Sequence, residues 1–153
     1  FDAFAAVLGV CPDSQSYEAE AAMRLEAMAR AGGAPLAFTV TDGRIDPATI
    51  WPEVQAALAA GQSRATLSWR FHAGLAQAFA GVARRLVEAG EAEAVALSGG
   101  CFQNALLHDQ TVRALKGIPV LTHCSTPAND GGLALGQAVI AAARALESRE
   151  PAG

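Results

Sequence analysis

The chain has 153 residues, a formal net charge of −4 and 52% hydrophobic residues, few of which are aromatic. This length predicts one domain, residues 1–153, with a sizeable core. The negative charge, without any basic cluster, argues against a nucleic-acid partner. No apolar run approaches the ~20 residues of a membrane span. The three cysteines form no C-x-x-C pair, which indicates a reducing compartment such as the cytoplasm.

Four helices and one hairpin are predicted for the first half of the chain. In order they are a helix over 1–9, a helix from a Ser14 or Ser16 cap to about Arg30, a strand over 36–40, a return strand at 44–45, a helix over 47–60 and a helix over 64–89. Asp42-Gly43 has the composition of a hairpin turn, and Asp46 and Ser63 are preferred helix caps.

The longest predicted helix, over residues 64–89, has apolar side chains every three or four positions, which is the spacing of one helix face. These side chains are Leu67, Phe71, Leu75, Phe79, Val82 and Leu86. His72 follows one of them and is interpreted as a surface residue of this helix. We therefore expect the whole stripe to be buried and His72 to be exposed.

Strands and helices alternate in the second half of the chain. The predicted elements are a strand over 94–97, a helix over 102–115, a strand over 118–122 and a helix from 129–132 to about Leu146. Two strands joined through a helix are expected to be parallel. The last helix carries regularly spaced Gly and Ala residues, which predict close contact with another helix. The fold class is therefore α/β, with a small sheet and many helices.

A glycine-bearing turn follows each strand of this predicted parallel pair. Ser98-Gly99-Gly100 follows the first strand and Asn129-Asp-Gly-Gly132 follows the second. Both turns precede helices, so both lie at the carboxyl edge of the sheet, where ligands of open α/β sheets bind. A glycine turn before a helix suits a phosphate group, because backbone N–H groups point outward there. The alternative is that these glycines only allow close packing.

Asp130 lies in the second of these turns and has two possible roles. Its carboxylate is suited either to bind a divalent metal or to cap its own helix. The histidines His72, His108 and His123 do not share the spacing of metal ligands, and His108 is interpreted as an exposed helix residue. His123 follows a strand and has a position from which it can approach the site.

Three segments together resemble the C-terminal part of the HypF carbamoyltransferases, which are hydrogenase maturation proteins. They are Leu97-Ser-Gly-Gly-Cys-Phe-Gln-Asn-Ala-Leu-Leu107, Pro127-Ala-Asn-Asp-Gly-Gly-Leu-Ala-Leu-Gly-Gln-Ala138 and Arg70-Phe-His. The resemblance extends over nearly the whole chain. It implies the second lobe of an actin/sugar kinase/Hsp70-like domain, similar to that of the tRNA-modifying enzyme TsaD.

The resemblance also implies a reaction and a set of site residues. The family makes carbamoyl-adenylate from carbamoyl phosphate and ATP, and passes the carbamoyl group to the C-terminal cysteine of the partner HypE. That group becomes the cyanide ligand of nickel–iron hydrogenases. The implied cofactors are ATP and a divalent metal, either Mg, Zn or Fe. The implied nucleotide-binding residues are Ser98, Gly99, Gly100, Asn104 and Glu18, and the implied metal ligand is Asp130. The resemblance assigns no catalytic residue.

Two departures from the family pattern stand out, because Ala19 replaces a usual glycine and Cys101 a usual aliphatic residue. The helical pattern already begins at Phe1, so we expect the chain to be a piece of a longer protein and to be inactive alone. Three alternatives stay open: an antibiotic O-carbamoyltransferase lobe, a TsaD-type tRNA-modifying lobe, and a non-catalytic scaffold that forms homodimers through exposed apolar surface.

Overall fold

The structure is a computed structural model that describes residues 1–148; residues 149–153 lie outside the described part. It confirms the α/β class with six helices and two small sheets in this range. The helices are α1 (Asp2–Val7), α2 (Glu20–Met28), α3 (Trp51–Ala59), α4 (Arg64–Glu88), α5 (Ala105–Ala114) and α6 (Leu133–Glu147). Within residues 1–148, no helix has both the length and the apolar character needed to cross a membrane.

Each sheet consists of two short strands. The strands are β1 (Thr39–Thr41), β2 (Arg44–Asp46), β3 (Val95–Leu97) and β4 (Val120–Thr122). β1 and β2 form the predicted antiparallel hairpin, in which Asp42 and Gly43 both have positive φ. β3 and β4 are parallel, with Leu97 paired to Thr122. The predicted hairpin and the predicted parallel pair are therefore both confirmed.

Ten buried apolar residues around the first half of α4 form the main core, which we call the first cluster. Its members are Phe4, Ala5, Leu8, Ala21, Leu25, Leu36, Ile50, Val54, Leu67 and Phe71. Phe4 of α1 stacks on Phe71 of α4, with ring centroids 4.2 Å apart. As predicted, Ser63 caps α4, since its Oγ accepts from Thr66 N–H at 3.3 Å.

The second half of α4 is buried on a different side from the predicted stripe. Ala80 packs with Leu97 and Leu115 in a second cluster, which these three residues define. The helix therefore turns its small residues toward β3 and α5, and Leu86 at the end of the stripe is 42% exposed. The expectation that the whole stripe is buried was wrong for this half, because a second layer covers the adjacent face.

An extended segment crosses α4 very closely before the hairpin begins. The N–H of Leu36 donates to the carbonyl oxygen of Arg70 at 3.0 Å. A Cβ atom at Gly74 would lie only 2.1 Å from the carbonyl oxygen of Leu36, so glycine is required there. This contact explains why β1 begins at Thr39 and not at Leu36 as predicted: the backbone of Leu36 is bound to the helix.

Arg70 joins three segments around this crossing and is buried, with its side chain 9% exposed. Its Nε donates to the carbonyl oxygen of Ala34 at 2.5 Å, and one Nη donates to Gln62 Oε1 at 2.7 Å. The other Nη pairs with the carboxylate of Glu53. A buried guanidinium is tolerated because its charge is paired and its N–H groups are bonded.

α2 begins later than the serine caps predicted. Its first residue is Glu20, and Ala19 before it has a left-handed backbone with φ of +63°. Gln15 Oε1 accepts from Ala21 N–H at 3.1 Å, and the carboxylate of Glu20 accepts from Ser16 N–H at 2.5 Å. The side chain of Gln15 thus binds an amide of the first turn of α2, Glu20 holds the loop before the helix, and neither serine caps it.

None of the residues of α6 is buried. Five large apolar side chains are more than half exposed along it. They are Leu133, Leu135, Val139, Ile140 and Leu146. The predicted close contact of its small residues with another helix is not present within residues 1–148.

Candidate functional site

The two glycine-bearing turns meet at the carboxyl edge of the parallel pair. Because Leu97 and Thr122 are paired, the residues after them are neighbours, and His123 Nε2 lies 3.0 Å from Ser98 Oγ. The N–H of Gly99 donates to the carbonyl oxygen of Ala128 at 2.7 Å. Ser98-Gly99-Gly100, which we call the glycine turn, is thereby bonded to the loop that carries Asp130.

The glycines of the two turns have different surroundings. A Cβ atom on Gly131 or Gly132 would lie 3.0 Å from an atom of Pro127, so these two glycines allow close packing. A Cβ atom on Gly99 or Gly100 would have no neighbour within 4 Å. Gly99 also has φ of +100°, which side chains other than glycine rarely adopt. The glycine turn is therefore open toward solvent, and packing does not explain Gly100.

The helix after the glycine turn begins at Ala105, later than the predicted Phe102. A 3₁₀ turn, Gly100–Gln103, comes first. Asn104 then caps α5, with its Oδ1 accepting from Leu107 N–H at 2.8 Å, and Glu26 Oε1 of α2 accepts from Leu106 N–H at 3.1 Å.

Side chains of this chain therefore already bind amides of the first turn of α5. This corrects the expectation that the N-terminus of that helix is free for an anion. Within residues 1–148, the N–H groups of Gly100 and Cys101 have no hydrogen-bond partner. They are the open amides of the site.

His72 is fully buried, which corrects its interpretation as a surface residue. Its Nδ1 lies 2.7 Å from the carbonyl oxygen of Ser68, and its Nε2 lies 2.9 Å from Nδ2 of Asn104. Burial lowers the pKa of the His72 imidazole below its usual value of 6.5. The apolar stripe could not reveal this. The available signal was the series of small residues beside it, such as Ala76 and Ala80, which marks a second buried face.

Asn129, and not Asp130, caps the last turn before α6. Asn129 Oδ1 accepts from Gly131 N–H at 3.1 Å. Asp130 is exposed, and its carboxylate has no hydrogen bond within the described residues. The alternative that Asp130 caps its own helix was therefore wrong, and its carboxylate remains available.

A complete metal centre is not present in the part of the chain that the structure describes. No group of three or more His, Cys, Asp or Glu residues within 1–148 is arranged to hold a metal ion. Asp130 alone can provide only one carboxylate to a metal. The described residues therefore do not fit a resident metal by themselves.

Glu18 is exposed in the loop before α2 and lines a shallow depression with Asp2 and Gln15. The depression that Glu18 lines includes no residue of the glycine turn. A second shallow groove, of ≈ 450 Å³, lies at the sheet edge. Its lining residues are Leu97, Phe102, Gln103, Ala105, His108, Asp109, His123, Thr126, Pro127 and Ala128. Both His108 and His123 thus line this groove, although His108 was interpreted from the sequence as an exposed helix residue without a role.

Comparison with known proteins gives one consistent family. Residues 1–137 match the family model for the carbamoyltransferase, Kae1-like domain, second subdomain. The chain is 55% identical over 148 residues to the carbamoyltransferase HypF of Rhodobacter capsulatus, covering 97% of this chain and 19% of that protein. It is 37% identical to the HypF of Rhizobium leguminosarum bv. viciae, covering 90% of this chain and 18% of that protein.

Solved structures agree with these matches. Full-length HypF, crystallised in a phosphate- and nucleotide-bound form, is similar with a TM-score of 0.84 and 32% identity over 92% of this chain and 19% of that one. HypF of T. kodakarensis is similar with a TM-score of 0.76 and 29% identity, covering 88% of this chain and 18% of that one. The chain thus spans about a fifth of the length of these relatives. It belongs to the HypF carbamoyltransferase family, as the second subdomain of the Kae1-like domain.

Proposed function

We propose that this chain is the nucleotide-binding lobe of a HypF-type, ATP-dependent carbamoyltransferase, and that it works as one part of a longer protein. The observation that carries the proposal is the open glycine turn, where Gly100 has no packing reason to be glycine. The similarity to a HypF crystallised with phosphate and nucleotide supports it.

In this proposal the backbone of the glycine turn binds a phosphate group of the nucleotide. The N–H groups of Gly100 and Cys101 donate to phosphate oxygens, as in other anion-binding turns. The Ser98 hydroxyl, held by His123, adds a third polar group at the same edge. Asn104 contributes by fixing the chain after the turn, since both ends of its amide are already bonded. Glu18 stays a prediction for the adenosine side.

The substrates and partner follow from the family. Hydrolysis of carbamoyl phosphate gives carbamate and phosphate, and carbamate reacts with ATP to give carbamoyl-adenylate and pyrophosphate. The carbamoyl group then passes to the thiol of the C-terminal cysteine of HypE in the cytoplasm, with release of AMP. The role of this lobe is to hold the nucleotide phosphates. For the metal, Asp130 would supply one carboxylate ligand to Mg, Zn or Fe, with the remaining ligands from outside residues 1–148.

Titration calorimetry with ATP and Mg²⁺ tests nucleotide binding. The informative variant is Gly100→Val, because a Cβ atom at this position has no neighbour within 4 Å and the side chain would project toward the proposed phosphate. We expect at least about a tenfold loss of affinity, the scale of one or two lost hydrogen bonds to a charged group. Gly81→Ala, which also meets no neighbour, is the matched control and should bind like wild type.

Two outcomes of this titration count against the proposal. Unchanged affinity in Gly100→Val would remove the glycine turn from the site. Absence of binding to the wild-type chain would favour the scaffold alternative. Asp130→Ala then reports on the metal, since its loss should weaken binding only when Mg²⁺ is present.

The carbamoyl-transfer part of the proposal needs the rest of the protein. Residues 1–148 would replace the 55% identical segment of the Rhodobacter capsulatus HypF, and carbamoyl-phosphate-dependent ATP turnover would be measured. We expect turnover in the chimera, a strong decrease on adding Gly100→Val, and no turnover by this chain alone. A folded chimera without turnover, or robust turnover by this chain alone, would contradict the proposal.

A scaffold or dimerisation role is the second candidate, and the exposed apolar side chains of α6 favour it. It predicts a homodimer in analytical ultracentrifugation that Val139→Glu dissociates. The O-carbamoyltransferase and tRNA-modifying alternatives have less support, because the relatives described above carry the HypF name. The net charge of −4 also disfavours tRNA.

A further inference from the structure

We infer that His72 is a positioning residue for the glycine turn: as a neutral imidazole protonated on Nδ1, it holds Asn104 in the orientation that starts α5 directly after that turn. The inference rests on the proposed nucleotide site for its functional consequence. The structural part rests only on contacts within this chain.

The hydrogen-bond network leaves one consistent assignment of donors and acceptors. The oxygen Oδ1 of Asn104 accepts from Leu107 N–H, so the amide nitrogen of Asn104 points to Nε2 of His72. An amide nitrogen only donates, so Nε2 must be the accepting nitrogen. The carbonyl oxygen of Ser68 only accepts, so Nδ1 must carry the hydrogen.

A second proton on His72 would break this arrangement. Protonated Nε2 would oppose the NH₂ group of Asn104, and turning the amide over would remove the oxygen that caps α5. The titratable groups that face His72 are the carboxylate of Glu26, whose charge favours protonation, and, in the isolated chain, the α-amino group of Phe1, whose charge opposes it. Burial has the largest effect and outweighs both the hydrogen bond to Ser68 and the charge of Glu26, so the pKa of His72 is lowered and the imidazole is neutral at neutral pH.

Backbone hydrogen bonds connect Asn104 to the glycine turn. Its N–H donates to the carbonyl oxygen of Cys101 at 3.2 Å, and Phe102 N–H donates to that of Gly99 at 3.0 Å. The open N–H groups of Gly100 and Cys101 lie between these two bonds. A displaced Asn104 would therefore change the direction in which those groups point.

Two variants separate positioning from simple packing. His72→Leu introduces an apolar side chain of similar size, and it removes both the acceptor for Asn104 and the donor to Ser68. His72→Gln keeps an oxygen acceptor near the position of Nε2 and does not titrate. The first readout is NMR on the chain, with imidazole ¹⁵N shifts for the tautomer and amide shifts for residues 99–101.

We expect an unprotonated Nε2 in wild type, large amide shift changes at 99–101 in His72→Leu, and much smaller ones in His72→Gln. ATP affinity measured with Mg²⁺ should fall about tenfold in His72→Leu, the scale of one lost hydrogen bond in a buried network, and recover in His72→Gln. As the pH falls below 6.5, wild type should lose affinity more steeply than His72→Gln. The titration of ATP itself affects both proteins equally, so it does not contribute to the difference between their affinities.

The inference and the proposed function fail in different ways. A proton on Nε2 at neutral pH overturns the inference, and so do unchanged amide shifts at 99–101 in His72→Leu. Absence of ATP binding to wild type overturns the proposed function and leaves these NMR results to decide the inference. If His72→Leu does not fold, the tautomer and the comparison of His72→Gln with wild type still decide it.

Discussion

The two ends of α4 lie in very different environments. Its first half is covered by α1, α2 and α3, and contributes Leu67 and Phe71 to the first cluster of ten buried residues. Its second half contributes Ala80 to the second cluster of three, and α6, near the end of the described residues, has no buried residue. The candidate site lies on the thinly packed side.

This difference in packing indicates that the two halves of the chain have different structural roles. The first half provides a rigid support, because large side chains there are packed on several sides. The second half presents loops and the apolar helix α6, none of whose residues is buried in the part of the chain that the structure describes. His72 connects the two regions, since it lies in the long helix next to Phe71 and holds Asn104 of the site.

The largest expected effect is a loss of core packing in the first cluster. Leu25→Ala should lower the free energy of unfolding by about 2–5 kcal/mol, because Leu25 is fully buried and its removal leaves a cavity. The matched change in α6 is Leu135→Ala, at a residue that is 55% exposed, and it should alter stability by less than about 0.5 kcal/mol. Urea denaturation measures both. Equal effects would mean that the two regions are packed alike.

Two glycines of α4 provide the next comparison. Gly74→Ala should destabilise by about 2–3 kcal/mol, because the new methyl group meets the carbonyl oxygen of Leu36. Gly81→Ala has free space and should stabilise by about 0.5–1 kcal/mol through better helix propensity. Thermal unfolding would show opposite shifts of the melting temperature. A tolerated Gly74→Ala would contradict the close crossing of Leu36.

The start of α6 is a smaller test, within the thinly packed region. Asn129→Ala should remove a cap and weaken the first turn by about 1 kcal/mol. Asp130→Ala should leave that turn unchanged, because its carboxylate has no hydrogen bond in the described range. Amide hydrogen exchange at the start of α6 measures the two variants. Faster exchange in Asp130→Ala than in Asn129→Ala would show that Asp130, and not Asn129, caps this turn.

The smallest expected effect concerns a weak point within the well-packed half. Ala19 has φ of +63°, a conformation that costs a non-glycine residue about 1 kcal/mol. Ala19→Gly should relieve this strain and stabilise by about 0.5 kcal/mol, after allowance for the greater freedom of glycine in the unfolded chain. Chemical denaturation would detect the gain. Destabilisation would show that the methyl group of Ala19 contributes packing that outweighs its backbone strain.

Local signals predicted the parts of the fold that depend on neighbours in sequence. The Ser63 cap and the Asp42-Gly43 turn were correct, because each rests on contacts within a few residues. Asp46 also caps as predicted, but it caps a 3₁₀ turn, Pro47–Ile50, and α3 begins after that turn at Trp51. The resemblance to HypF was also confirmed by the family match. The placement of the two turns at one sheet edge followed from the parallel topology alone.

Features that depend on distant contacts were not accessible from the sequence. His72 is in contact with the ring of Phe1 and with Asn104 at the start of α5, which is 32 residues away in the sequence. The carboxylate of Glu26 accepts a hydrogen bond from an amide of α5 that is 80 residues away in the sequence. Contacts between residues so far apart produce no periodic pattern in the sequence. The spacing of residues therefore could not show whether a helix end or a carboxylate is free to bind a ligand.

The bond from Gly99 to the carbonyl oxygen of Ala128 has a consequence for how this site can evolve. It fixes the number of residues between the end of β4 at Thr122 and the cap Asn129. One inserted or deleted residue would displace Asp130 by up to ~3.5 Å or break the bond. Most surface loops tolerate length variation between homologues. Here we expect loop length to be inherited unchanged, and to vary only together with the glycine turn.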